Sequence, residues 1–465
     1  MSGDTSAEMS GETSGRARIE RMIAEHGIDT VKVGGPDYDG IYRGKRLPAD
    51  VFLDGIAHGY AQGDVLFGWD IAEDLVPGLR FTNWDSGYAD IRMLPDLATF
   101  RLVPWEERTA TVICDFVGED GEPVPVAPRH VLRRVLERAE RMGYRAELAL
   151  ELEFRIWRED QRSLRQKQWR DLTPLSPTTS CYSLHRATGD EFIVGRLRRQ
   201  MDAHGVPIEG YNREHGEGMY EMNLRRAAGL EAADRALLFR NGVKELCLLE
   251  GLTASFMAKP FAGEDGNSGH LHQSLWTTAG QPAFYDPAAE RGLSAVFRSY
   301  IAGVLRTLPE LMALYAPNIN SYKRFVAGSW APTVAAWGIE TRTPALRAIT
   351  GSPSATHLEN RVPGSDVNPY LAMAAALAAG LHGIERGLTP PPPIRSNAYA
   401  LPAELAPRLP RTLDAAIERF AASELARDWF GDAFVDDYTT MRRWELERYA
   451  AAVTEWERNR YFETV

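Results

Sequence analysis

Two short runs hold the residues best suited to chemistry, Glu151-Leu152-Glu153 and His270-Leu271-His272. Each lies in an apolar, strand-like stretch, where residues two apart share a face. Both carboxylates of the first run therefore point one way, with Leu152 and Phe154 on the other side. Like charges that close repel unless water solvates them or a cation neutralises them. Taken alone, the carboxylates also fit a solvated strand face, and the histidines a hydrogen-bonded pair. The chemical alternative is a divalent-metal site. Glu214 and Glu221 flank a glycine-containing loop, and Glu359 lies in His357-Leu358-Glu359-Asn360-Arg361. Arg324, Arg342, Arg347 and Arg361 fall in one Pro/Gly-punctuated apolar region. Guanidinium forks match carboxylate and phosphate oxygens. An oxygen-rich metal site beside several arginines is what phosphoryl transfer requires.

The elements that must position these groups follow from hydrophobic period and punctuation. Helices are predicted at Arg16–Glu25, Val131–Met142, Phe192–His204, Ala232–Glu250 and Leu293–Leu308, and one from Asn368-Pro369 to Gly387. Strands are predicted at Thr30–Val33, Ala146–Trp157, Met219–Leu224 and Leu271–Trp276, with a further pair through Ile41–Arg43 and Thr99–Val103. The tail Thr412–Tyr461 reads as two or more helices. Antiparallel-type strands interleaved with helices indicate an α+β fold. The expected organisation is a disordered polar tail over 1–15, a small α+β domain over 16–110 and a large catalytic domain over 111–465. A G-x-G-x-x-G fingerprint and a Walker A loop are both absent.

Composition narrows the function classes. The 465 residues carry a formal charge of −11 and no basic run with interleaved aromatics, which argues against nucleic acid. Cys114, Cys181 and Cys247 form no C-x-x-C pair and read as small buried residues in a reducing compartment. The first residues lack the apolar core of a signal peptide. No run of about 18 apolar residues could span a bilayer. A cytoplasmic location away from membranes is expected.

Taken in order, the motifs resemble those of the glutamine synthetase superfamily, type I-like branch. The matching stretches are Glu151-Leu152-Glu153-Phe154, Gly205 through Glu209 and Glu214 to Glu221, and Phe256-Met257-Ala258-Lys259-Pro260. They continue with His270 to Ser274, Pro317 to Arg324, Thr341 to Arg347, and Glu359 to Tyr370. The resemblance covers nearly the whole chain after the tail. It implies a β-grasp-like N-terminal domain and a catalytic domain with a curved antiparallel sheet and surrounding helices. It implies ATP and two or more Mg2+ or Mn2+ ions, with Glu153, Glu214 and Glu221 holding the metal nearer the acceptor. Glu151, His270 and Glu359 would hold the metal at the ATP phosphates. Glu209, His272 and Ser274 match ATP-site positions. Arg324, Arg361 and Gly266 match the glutamate site, and Arg342 and Arg347 match groups that stabilise the transferring phosphate. The implied product of the first step is γ-glutamyl phosphate. The family's rings of six, usually stacked in pairs, imply a homo-oligomer with active sites between subunits.

The departures fall on the second half-reaction. Where ammonia-using members carry Pro-Gly-x-Glu-Ala-Pro, this chain has Ala327-Gly328-Ser329-Trp330-Ala331-Pro332. Trp330 cannot take a proton, but its ring can cover an organic group or face a cation. The ammonium loop Asp-Gly-Ser-Ser becomes Phe67-Gly68-Trp69-Asp70-Ile71, the glutamate loop becomes Asp265-Gly266-Asn267-Ser268, Gly-Gln becomes Gly218-Met219, and His357 replaces an ATP-site arginine. No convincing adenylylation motif surrounds Tyr399.

The expected activity is therefore ligation of glutamate's γ-carboxylate to a primary amine other than ammonia. A small alkyl- or hydroxyalkylamine such as ethanolamine ranks first. A polyamine, suggested by the acidic 70–74 segment, an aromatic amine and ammonia itself are alternatives. Alkylamines have a pKa of about 10, so a base is needed. Asp70 is the first candidate, with Glu73 and Asp74 behind it. A guanidino kinase and a non-catalytic scaffold are the alternatives from other classes.

Overall fold

Along the strand Tyr144–Trp157 alternate residues are buried up to Leu152, as one face on a core demands, and both faces are buried from Glu153 onward. This long strand is the spine of the larger of two sheets in a computed structural model that describes residues 5–402 and 404–465, with side chains from residue 15 onward. The first sheet contains β1 (Thr30–Pro36), β2 (Tyr42–Pro48), β3 (Tyr60–Gly63), β4 (Asp90–Pro95), β5 (Arg101–Leu102) and β6 (Thr109–Val117). The second contains β7 (Tyr144–Trp157), β8 (Ile208–Arg213), β9 (Met219–Leu224), β10 (Ala227–Ala228), β11 (Thr253–Ser255), β12 (Gly269–Thr277), β13 (Trp337–Ile339), β14 (Leu346–Ile349) and β15 (His357–Asn360).

The first sheet runs β2-β1-β6-β4-β3, with β5 paired to β6. Its β1–β6 pair is parallel and the others are antiparallel. Because β6 completes it, this sheet extends to Val117, past the expected boundary at 110. The predicted partners 41–43 and 99–103 do not pair with each other. The first lies against β1 and the second against β6. Each instead closes a local hairpin with its neighbour in the chain, β1–β2 through residues 37–41 and β5–β6 through residues 103–108.

The second sheet runs β13-β14-β15-β12-β7-β9-β8, with β10 and β11 on β7. It is curved and antiparallel except for the β13–β14 pair, which is parallel. Helices Leu230–Leu249, Ala295–Tyr315 and Pro369–Glu385 bury large apolar faces behind it. Asn368 caps the last of these, accepting from the N–H of Tyr370 at 3.0 Å. The helix predicted to stop at Leu308 continues through Pro309 to Tyr315. Burial of Leu311, Met312, Leu314 and Tyr315 outweighs the roughly 3 kcal/mol that an interior proline costs. The first helix starts at Thr5, ahead of Arg16, because no proline interrupts propagation there. It takes in part of the segment expected to be disordered. Residues 1–4 lie outside the described residues.

One guanidinium joins the two layers. Arg129, fully buried, donates to Asp96 and Asp115 of the first unit at 2.7 Å each and to Asp234 of the helix Leu230–Leu249 at 3.0 and 3.1 Å. Tyr370 completes the group with a 2.6 Å bond to Asp234. Among the described residues no helix is long and apolar enough to cross a membrane.

Candidate active site

Strand register assembles the site. Glu151 lies opposite His270, Glu153 opposite Glu221, and Glu359 opposite both His272 and Arg347. Directly opposed residues share a face, so one surface of the sheet collects the predicted groups. Glu153, Glu221, His270 and Glu359 are buried, which rules out the solvated strand face. His270 Nδ1 stands 2.8 Å from Glu151 Oε1 and 3.6 Å from Glu359 Oε1. His272 Nε2 lies 3.5 Å from Glu151 Oε2. Asn223, not anticipated, donates to Glu151 at 2.8 Å.

One compact nest results among the described residues, with a looser carboxylate cluster beside it. In the first, donor atoms of Glu151, His272 and Glu359 lie within 4.8 Å of one another. The expected set named His270 in place of His272. Both imidazoles in fact meet Glu151, and His270 retains a buried Nε2 with no hydrogen-bond partner. In the second, Glu153 accepts the N–H of Ser268, and Glu214 accepts from Asn212 at 2.7 Å. Cys181 was expected to be an inert buried residue. It is partly exposed instead, with its sulfur 3.6 Å from Glu214.

The electrostatics fit a missing positive charge. Burial, with the charges of Glu214 and Glu151, lifts Glu153 to about 7 despite the Ser268 N–H. Burial and the carboxylates of Glu151, Glu153 and Glu214 push Glu221 far above the usual range. Burial acts on Glu151 too, but His270 and His272 hold it well below that range. Carboxylates crowded this way, with an orphaned buried imidazole nitrogen beside them, match the oxygen and nitrogen donor set of divalent ions.

The arginines divide. Arg347 Nη1 donates to Glu359 Oε2 at 3.0 Å, and Arg361 donates to Glu359 Oε1. Arg324 reaches Ser268 Oγ at 3.1 Å and the carbonyl of Val362. Gly266 packs against Arg324 so closely that a Cβ there would stand 2.7 Å from its Cγ. Arg324, Arg347 and Arg361 each keep a buried Nε without a partner. Arg342 differs. It is exposed after β13 and makes no side-chain bond among the described residues. Its charge reaches Tyr182, whose phenol burial and Glu214 push up to about 12.

A cavity of about 720 Å³ opens beside Glu151, lined by Glu209, Asn223, Arg226, His272, Ser274 and His357. It gathers all three residues expected to meet the nucleotide. Trp330 stands on an exposed loop, 58% accessible, with a positive φ of 61°. For a bulky side chain this is a strained conformation. The Tyr399 hydroxyl ties the loop down by donating to the Ala331 carbonyl at 3.2 Å.

Asp70 does not fit its expected role as base. Its Oδ1 accepts from the N–H groups of Ala72 and Asp74 at 2.8 and 3.0 Å, and its Oδ2 accepts from Trp444 Nε1 at 2.9 Å. The neighbouring acids are also engaged, Glu73 by Arg43 and Asp74 by Arg448, each at 2.6 Å. Asn223 could have been found from the sequence, since it shares a strand face with Glu221. The same spacing of two could have found Asn212 beside Glu214, whereas Cys181 gave no such signal, because folding brings it there from 33 residues away.

Residues 125–461 match the model of the glutamine synthetase catalytic domain. The chain belongs to the glutamine synthetase family. It is a ligase, and the family generally uses ATP and divalent metals. Over 449 residues it is 43% identical to a glutamate–isopropylamine ligase of Pseudomonas sp, covering 96% of this chain and 98% of that one. Over 450 residues it is 41% identical to the γ-glutamylethanolamide synthetase GlnA4 of Streptomyces coelicolor, covering 97% and 96%. Among solved structures it resembles a GmaS/ADP complex with a TM-score of 0.83 and 29% identity, over 95% of this chain and 98% of that one.

Proposed function

We propose that this family member joins the γ-carboxylate of glutamate to a small primary alkyl- or hydroxyalkylamine, driven by ATP, through γ-glutamyl phosphate. The observation that carries the reading is Trp330 at the place of the family's ammonium-binding acid, in a chain that otherwise keeps the residue types the family uses for phosphoryl transfer. The two amine ligases among the relatives support it.

In this reading Glu153, Glu214 and Glu221 hold one cation, and Glu151, His270 and Glu359 hold the other, with His272 beside them. Divalent cations, when bound, spread the charge of the transferring phosphoryl group. Glu209, His272 and Ser274 line the nucleotide cavity. Arg324 and Arg361 bind glutamate, with Gly266 letting its loop approach Arg324. Burial lowers Arg324 to about 10, so it stays protonated at neutral pH. The partnerless Nε groups of Arg324, Arg347 and Arg361 supply donors for carboxylate and phosphate oxygens. Arg342, exposed and without a side-chain partner among the described residues, is free to swing onto the phosphoryl group with Arg347. Trp330 covers the amine's organic part and excludes water from the acyl phosphate. The intramolecular pairing of Asp70, Glu73 and Asp74 removes the main argument for a polyamine.

Phosphate release with glutamate, ATP and Mg2+ is compared for ammonium, isopropylamine, ethanolamine, putrescine and aniline, with the amide identified by mass. Isopropylamine and ethanolamine are expected to lead. Ammonium outperforming every organic amine overturns the reading. Glutamate labelled with 18O in its γ-carboxylate should pass label to phosphate if the acyl phosphate forms. The proposed assembly is two stacked six-membered rings whose small domains close neighbouring sites, and light scattering should give a mass near twelve chains.

A further inference from the structure

Arg155 continues the face that carries Glu151 and Glu153, two residues further along β7. It is 1% exposed, and none of the roles above uses it. Its guanidinium reaches across two loops. Nη1 donates to the Glu217 carbonyl at 3.0 Å and to the carboxylate of Glu264, and Nη2 donates to the Asp265 carbonyl at 2.9 Å. Glu217 sits in the hairpin between β8 and β9, which carries Glu214 and leads into Glu221. Glu264 and Asp265 open the loop that runs through Gly266 to Ser268, whose N–H meets Glu153 and whose hydroxyl meets Arg324.

The surroundings are fitted to this side chain. A Cβ on Gly216 would come within 2.6 Å of Arg155 Nη2, so the bare glycine lets the hairpin lie directly against the guanidinium. His215 Nδ1 lies 2.7 Å from Asp265 Oδ2, a second tie between the same loops at the surface. A planar fork with several donors can hold carbonyls from two directions at once, which an ammonium on a flexible stem does poorly.

We propose that Arg155 is a positioning residue that couples glutamate binding to metal binding at Glu153, Glu214 and Glu221. The loop over Arg324 and the hairpin bearing Glu214 share this one buried cation. When either is ordered by its ligand, the clamp orders the other, and by linkage the effect is reciprocal. The nucleotide cavity at His272 and Ser274 lies outside the clamp. This inference rests on glutamate being the substrate.

The test uses the purified full chain and calorimetric Mn2+ titration, with and without saturating glutamate. The wild-type chain should bind Mn2+ about five-fold or more tightly when glutamate is present. Arg155→Met should bring that factor close to one, and Arg155→Lys should restore it only in part. Glu264→Gln keeps the guanidinium and both carbonyl bonds, so it guards against a failure of Arg155→Met to fold. It should lower the factor to an intermediate value. ATP affinity should stay within about two-fold, because the lost interaction lies outside that cavity. Folded variants with the full wild-type factor overturn the clamp. A wild-type chain that binds Mn2+ but shows no response to glutamate overturns the substrate reading instead.

Discussion

Arg347 and Arg361 share one carboxylate, that of Glu359, with Arg347 on Oε2 at 3.0 Å and Arg361 on Oε1. Arg347 reaches it from the facing strand β14, and Arg361 from two residues along the chain. Burial would raise Glu359, but Arg361, His270 and His272 outweigh it and hold the carboxyl at about 2. It therefore stays ionised throughout the physiological range and balances two cationic side chains in the interior.

Glu359→Gln places an amide N–H₂ or a neutral carbonyl against the buried guanidinium of Arg361 and the half-buried one of Arg347. Breaking a buried pair by removing one partner costs about 3–5 kcal/mol. A lower melting temperature is expected, together with a loss of turnover of at least about 100-fold. Thermal denaturation and phosphate release check the two effects separately. Unchanged stability would mean that water or another acid replaces the carboxylate.

Stripping metal should expose the repulsion among Glu153, Glu214 and Glu221. A ligand that binds only the folded chain stabilises it by about 2.7 kcal/mol at a hundred times its dissociation constant. Chelation should abolish turnover and lower the melting temperature, and Mg2+ should restore both. In Glu153→Gln the thermal response to Mg2+ should shrink markedly. A full response in that variant would remove Glu153 from the metal site.

Amine choice should follow Trp330. Trp330→Glu restores an acid at the loop, and the ratio of kcat/KM for ethanolamine to that for ammonium is expected to fall at least about ten-fold, or about 1.4 kcal/mol. Trp330→Gly relieves the positive φ but supplies no cover, so both amines should suffer. Steady-state kinetics with the two amines distinguish these outcomes. An unaltered ratio would place selectivity elsewhere.

Much of this face was legible because period-two spacing fixes which side chains share a side. Glu151 with Glu153, and His270 with His272, needed only strand geometry. The capped helix after Asn368 needed only local chemistry. What could not be read depended on distant partners. Asp70 looked like a free acid until folding placed Trp444, 374 residues away, against it. Strands β13, β14 and β15 have three or four residues each, too few to show a period. Cys181 looked inert because its neighbour Glu214 is brought to it by a loop that docks on the end of β8, where the Tyr182 N–H donates to the Arg213 carbonyl.

His204 gives a pH dependence outside the catalytic face. Its Nδ1 lies 2.5 Å from the Leu102 carbonyl, and its ring packs edge-on against Trp105. Burial lowers it to about 4 despite that backbone bond. The unfolded chain takes up this proton near 6.5 and the folded chain only near 4. The stabilisation is therefore complete above about 6.5 and lost as pH falls toward 4, by about 3 kcal/mol in total. His204→Asn keeps a donor for Leu102 without the titration. Urea midpoints between pH 7.5 and 4.5 should fall more steeply for the wild-type chain than for the variant, and parallel curves would refute the assignment.

The Arg129 junction bears on where this protein can be cut. The family match begins at residue 125, so a fragment started there keeps Arg129 and Asp234 but discards Asp96 and Asp115. A guanidinium built to be shared by three acids would be left with one, and the apolar floor under β6 would be laid open to water. The segment that matches the catalytic-domain family is thus smaller than the unit this junction ties together. Engineering by domain exchange should move the whole first sheet with the catalytic region and place its seam in front of β1.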